Sequence, residues 1–305
     1  MSIEEIIAEL GNLDKPLLNS MLSQLSNLNS EELKLLEQAW ETIELKRQRQ
    51  IMHRLVELAE DNIELNFDNI FKGRLKDKDA EVQSTAIEGL WESEETSLID
   101  PLINLLEQHS SEKVQATAAT ALGKFALLAE LRKLRPAHKS KISQALLTVI
   151  NDKSKPLEVK RRALEAAAPL SLPQIKKAIM EAYHSVNHQL KISALFAMGR
   201  SCSLSWLPIL LKELTSGDAE IRYEAAVACG ELGEKEAVPY IIELAADPDI
   251  DVQLAAIKAL GKIGAPEAKG CLEQYLDNPN EIIQQAAEQA LYELEAGEDL
   301  LTFQS

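Results

Sequence analysis

The stretch PDIDVQLAAIKALGKIG, residues 248–264, decides the fold. Val252, Ala256 and Leu260 recur at every fourth position, so they share one face of a helix. Asp249 stands three residues before Val252, where an N-cap belongs. Gly261 and Gly264 stand where a helix is expected to stop. The same frame occurs 31 residues earlier as Ile221, Ala225, Cys229 and Gly230, and 31 before that as Leu190, Ala194, Met198 and Gly199. Val159, Ala163 and Ala167 lie one further step of 31 back, and Ile283, Ala287 and Leu291 lie one step downstream.

The register continues towards the N-terminus. Val114, Ala118, Leu122 and Gly123 keep the frame, but their step to Val159 is 45, which places an insertion of about 14 residues near 124–141. Val82, Ala86 and Leu90 lie 32 before Val114, and Ile51, Leu55 and Ala59 lie 31 before Val82. That makes eight copies. Asp79, Ser111, Asn187, Asp218, Asp249 and Asn280 are N-cap residues three before their anchors, while Gln48 and Pro156 depart from the rule. The glycines after the anchors (Gly123, Gly199, Gly230 and Gly261, then Gly233 and Gly264) read as helix stops. Between copies lies a second apolar segment, opened by proline at Pro101, Pro208 and Pro239, which a first helical turn accepts. Each repeat is therefore an A helix, a tight turn and a B helix. One hairpin cannot bury its apolar face alone, so neighbours must stack. The expected fold is all-α: a right-handed α-solenoid of about eight stacked hairpins. Residues 1–47 are expected to form a divergent helical cap, 48–295 the repeats, and 296–305 a C-terminal tail.

Composition agrees. Of 305 residues 46% are apolar but only 4% aromatic, a core of small and aliphatic side chains suited to close helix packing. The net charge of −17 argues against a general nucleic-acid binder. Cys202, Cys229 and Cys271 form no CxxC pair, so neither a disulfide framework nor a zinc site is suggested. The opening MSIEEIIAEL has three Glu and no basic residue, unlike a secretory signal, and no apolar run approaches the ~20 residues of a membrane span. A cytoplasmic location is expected.

The D-x-x-V-x-x-x-A-x-x-A-L-G frame, with its step of 31, resembles the HEAT-like repeats named after phycobilin (phycobilisome) lyases. The likeness covers roughly 48–295. It implies HEAT-like hairpins whose B helices line a concave side, but no single function, since such repeats serve adaptors, lyase subunits and chaperone-like proteins. Many such repeats carry Arg after the anchor, a position held here by Met52, Gln83, Gln115, Lys160, Lys191, Arg222, Gln253 and Gln284. Deoxyhypusine hydroxylases, similar in size and repeat, bind iron through His-Glu dipeptides. None of the five histidines here (His53, His109, His138, His184, His188) is followed by Glu. Alkylpurine DNA glycosylases of HEAT-like fold use a basic groove, which the overall acidity opposes.

No motif for nucleotide, nucleophile-elbow or zinc-protease chemistry occurs. His184 and His188 have metal-ligand spacing, but Asn187 is an expected N-cap, so the pair straddles a turn and reads as an ordinary surface pair. Cys229 fills a core slot, and Cys202 lies in a turn. No cofactor or metal is implied.

Charge is uneven: residues 1–130 sum to −13, 131–200 to +10 and 201–305 to −14. The basic middle reads either as a solvated surface or as a dock for an acidic partner surface or for this protein's own acidic arm in a dimer. Positions one, two and six after each anchor are expected to face outward along the groove. In three adjacent repeats these slots place Ile192, Phe196, Tyr223, Val227 and Leu254 towards solvent, beside Lys160, Arg161, Lys191 and Arg222. An apolar patch with a basic rim suits a binding groove, though strong curvature would instead bury it. Trp206 is a second contact or a filler. The expected function is a non-enzymatic scaffold holding a protein partner. The alternatives are a phycobilin-lyase-like protein handling a tetrapyrrole on a client and, third, nucleic-acid binding through the basic middle. The sequence does not fix the partner or the oligomeric state.

Overall fold

The computed structural model describes residues 3–302, and in them every regular element is a helix. The chain divides into two compact units, one ending at Ala163 and one starting at Leu164. The first unit begins with α1 (Ile3–Leu10) and the short α2 (Asn19–Leu22). Hairpins follow: α3 (Ser30–Trp40) with α4 (Leu45–Asp61), α5 (Asp68–Arg74) with α6 (Ala80–Gly89), and α7 (Ile99–Gln108) with α8 (Glu112–Glu130). Then come α9 (Pro136–Asn151) and α10 (Leu157–Ala167), within which the unit boundary falls. The second unit holds α11 (Pro173–Tyr183) with α12 (His188–Arg200), α13 (Leu207–Glu213) with α14 (Ala219–Leu232), α15 (Val238–Leu244) with α16 (Ile250–Ile263), and α17 (Pro266–Gln274) with α18 (Glu281–Thr302).

All eight anchors lie on the B helices α4, α6, α8, α10, α12, α14, α16 and α18, one per hairpin. The fold is an α-solenoid of the expected kind. The buried stripe explains it: Ile51, Val82, Val114, Val159, Ala194, Ala225, Val252 and Ala256 are all at most 1% exposed. Most of the expected caps form through their side chains, whereas Ser111 stands at the N-cap of α8 without a side-chain cap bond. The Asp79, Asp218 and Asp249 carboxylates each accept from two backbone N–H groups of the next turn, and Asn187 accepts from Leu190 N. Pro208 and Pro239 open α13 and α15, as do Pro136, Pro173 and Pro266 for their helices. In the first unit, buried Arg47 clamps the entry segment by donating from Nε to the Leu10 carbonyl at 3.0 Å and from Nη2 to the Asn12 and Lys15 carbonyls.

The segment near 124–141 is helical for the most part. It extends α8 to 19 residues, turns at 131–135, and enters the 16-residue α9. Near its start Lys124 Nζ donates to the carbonyls of Leu90, Trp91 and Ser93, tying down the turn after α6. Helix α18 continues to Thr302, into the stretch expected as a tail, and residues 303–305 lie outside the described residues.

Two expectations are corrected. Gly199, Gly230 and Gly261 are not stops but lie inside α12, α14 and α16. A Cβ on Gly199 would stand 2.7 Å from Ala228 Cα, one on Gly230 3.0 Å from Ala259, and one on Gly261 2.8 Å from Ala290. These glycines let each B helix seat against the next. The true stops are Gly233 and Gly264, left-handed at φ 71° and 62°. Gly123, too, lies within α8.

The position after the anchor also does not face solvent. Met52, Gln83 and Gln115 are buried there, as is Ser84 one residue on. At about 100° from the anchor, this slot points back at the hairpin's own turn. Gln83 Nε2 donates to Leu75 O at 3.1 Å, Gln115 Nε2 to His109 O, and Arg222 Nη1 to Ser216 O at 2.9 Å. Gln83, Gln115 and Arg222 thus satisfy turn carbonyls that burial would otherwise orphan.

Candidate functional site

In the second unit, α12, α14, α16 and α18 approach one another most closely, while the A helices α11, α13, α15 and α17 touch less. The glycine contacts seat the B helices against one another, and positions two and six after each anchor lie on one face of that layer. On that face Ile192, Phe196, Val227 and Leu254 are half-buried and Tyr223 is 40% exposed. Their helix neighbours Ala194, Met198, Ala225, Cys229, Ala256 and Leu260 are completely buried. The five side chains therefore form an accessible apolar strip across three adjacent helices rather than a second layer of core.

The basic rim is a different matter. Arg222 forms a two-pronged pair with Asp247, Nε to Oδ2 at 2.7 Å and Nη2 to Oδ1 at 2.8 Å, with both partners largely buried. Lys191 Nζ lies 2.9 Å from Glu213 Oε2 and 5.3 Å above the Tyr183 ring. Tyr183 donates its hydroxyl to Glu213 Oε1 at 2.6 Å. Burial and the Glu213 bond push the Tyr183 phenol up to about 12. Burial alone would raise Glu213, but the Lys191 and Tyr183 bonds outweigh it and hold the carboxyl below its usual range. These cations brace hairpins and do not rim the strip as free charges. Lys160 and Arg161 belong to the first unit, where Lys160 is half-buried and Arg161 pairs with Glu158 at 2.8 Å.

One residue of the strip was not foreseen. Glu224 follows Tyr223 and lies one turn before Val227. Its Oε1 is buried and has no hydrogen-bond partner. Burial first, then the charge of Glu165, pushes its carboxyl up to about 7. Glu165 in turn accepts the Ser193 hydroxyl at 2.6 Å. The sequence signal was a single acid three after the anchor, a slot that holds Ser193, Ala255 and Ala286 on the neighbouring helices.

The other candidates resolve simply. Trp206 is 2% exposed, a filler beneath Lys176, whose Nζ is 5.4 Å from the ring centroid. His188 meets Asp218 at 2.8 Å and His184 stacks edge-on to Tyr183. Among the described residues no three His, Cys, Asp or Glu side chains are grouped to hold a metal. Cys229 is buried, and burial pushes its thiol up to about 12, so it is a poor nucleophile. Cys202 is exposed at φ 49° in the turn after α12. In the first unit, a cleft of 660 Å³ across α6, α8 and α10 is lined by Glu88, Glu112, Lys113, Thr117, Thr120 and Arg162 among others. No described helix is long and apolar enough to cross a membrane.

The HEAT-repeat sequence profile matches residues 68–141 and 207–292. These segments make up more than half of the chain, which belongs to the HEAT-repeat family. No curated protein matches the sequence significantly. Among solved structures, the complex of CpcE and CpcF of phycocyanin lyase from Nostoc is similar at 17% identity and TM-score 0.51, over 74% of this chain and 94% of that one. The Kap95:Nup1 complex is similar at 12% identity and TM-score 0.53, over 96% of this chain and 46% of that one, so the chain spans under half the length of its match. Human deoxyhypusine hydroxylase aligns over 96% of both chains at 17% identity, with TM-score 0.38. At these identities the likeness to the phycocyanin lyase and Kap95:Nup1 complexes is one of fold.

Proposed function

We propose that this chain is a non-enzymatic scaffold that holds a protein partner, as a peptide or helix, on the inner face of its second unit. The observation carrying this is the strip of Ile192, Phe196, Tyr223, Val227 and Leu254, left accessible on three neighbouring helices beside the completely buried Ala194, Met198, Ala225, Cys229, Ala256 and Leu260. Aromatic and branched aliphatic side chains on a rigid helical face are suitable anchors for a partner. A tetrapyrrole-handling role has less support, because Lys191 and Arg222, which would receive propionates, already pair with Glu213 and Asp247. The test is co-purification from the native host with wild type and with Ile192→Asp/Tyr223→Ala, after circular dichroism shows both folded. A partner kept by wild type and lost by the variant supports the reading. Equal recovery by both overturns it. Absorbance after bilin addition tests the tetrapyrrole alternative separately.

A further inference from the structure

The strip contains one polar group that the fold leaves incomplete. Lys191 is engaged by Glu213, and Arg222 by Asp247 and the Ser216 carbonyl. The Ser193 hydroxyl goes to Glu165. Glu224 Oε1 alone is buried without a donor, between the exposed Tyr223 and the half-buried Val227 one turn on. A buried carboxyl oxygen without a donor is costly, and small residues fill the equivalent slot on the neighbouring helices. A glutamate there has a use if something outside the chain completes it.

We propose that the segment docking on this strip carries a Lys or Arg among its apolar side chains, and that Glu224 receives that cation. This rests on the scaffold reading and gives the partner its chemistry: a basic amphipathic peptide or helix. An acidic partner, the other choice the uneven charge leaves open, would bring its carboxylates against Glu224 and Glu165 and be repelled. Burial and the Glu165 charge hold the Glu224 proton near neutral pH, which is the signature of a carboxyl lacking a counter-charge. The side chain is half-buried, so the carboxyl turns outward to meet an incoming ammonium or guanidinium, and its shielded oxygen gains a charge-assisted hydrogen bond. The apolar residues on either side then exclude water from that bond.

The experiment pans a displayed library of random peptides of about 16 residues, roughly 24 Å as a helix, on the full chain at low salt. Binding of the enriched peptides is then measured calorimetrically to wild type, to Glu224→Gln, and to Ile192→Asp/Tyr223→Ala, each checked for folding. The expected pool places Lys or Arg inside an apolar run. Its binding weakens at least about tenfold with Glu224→Gln, and replacing the peptide's basic residue by Met removes that difference. Peptides lost with the double variant but indifferent to Glu224→Gln, or lacking a basic residue, overturn this inference while leaving the scaffold reading standing. Peptides indifferent to the double variant overturn the scaffold reading itself, and a library from which nothing is enriched overturns both.

Discussion

Glu224 has a consequence for the free protein. Its folded carboxyl holds a proton up to about 7, whereas in the unfolded chain it ionises near the ordinary value of 4.5. The folded state thus binds the proton more tightly, and that stabilisation is complete below about 4.5 and lost as pH rises through about 7. Stability should fall by roughly 2–3 kcal/mol between about pH 5 and 8, and Glu224→Gln should flatten the slope. Urea melts at both pH values check this, and an unchanged slope in the variant contradicts it. Asp79, Asp218 and Asp247 act in the opposite sense. Their carboxyls are held below the usual range, so their stabilisation is present above the unfolded value of 3.8 and is lost as pH falls through their lowered values. For Asp247 the main cause is Arg222, and Asp247→Ala should cost about 1.5–3 kcal/mol near neutral pH. That penalty should shrink in acid, which thermal melts of the pair can follow. At this scale the sequence was half legible. Ile192 and Tyr223 stand where the helical period put them, but the slot beside the anchor turns inward, because the nearby turn carbonyls demand a donor that no period reveals.

Helices were the most legible level. Anchor spacing located every B helix, and Asp and Asn located their starts, because both signals are local. The glycines misled because a glycine at a stop and a glycine at a helix crossing look alike in sequence. Only the partner helix distinguishes them. The distinction is measurable. Gly261→Ala would drive a Cβ to 2.8 Å from Ala290 on α18 and should destabilise by about 1–3 kcal/mol. Gly270→Ala, inside α17 with nothing within 4 Å, should instead be neutral or stabilise by up to ~1 kcal/mol. Thermal melts of the two variants should move in opposite senses or differ clearly in size, and equal destabilisation would contradict the close seating of α16 on α18.

At the scale of the whole molecule, charge was the least legible property. The +10 excess over 131–200 looked like an open basic zone. Much of it is spent internally, as Lys139 on Glu130, Lys141 on Asp100, Arg162 on Glu158, Lys191 on Glu213 and Arg200 on Glu231. Linear counting does not see partners drawn from other helices. The chain should therefore show no retention on single- or double-stranded oligonucleotides even at low salt, where counterion release favours binding most. Salt-sensitive retention in a gel-shift assay would restore the nucleic-acid alternative.

The scaffold reading depends on which face of the second unit meets a partner. Two tyrosines offer a matched pair, Tyr223 on α14 at 40% exposure and Tyr240 on α15 at 43%. A photo-crosslinking phenylalanine analogue placed at each position in turn, in the native host, reads the two helix layers with equal accessibility. The account predicts a discrete adduct from position 223 and none from position 240. An adduct from 240 alone, or the same adduct from both, would contradict it.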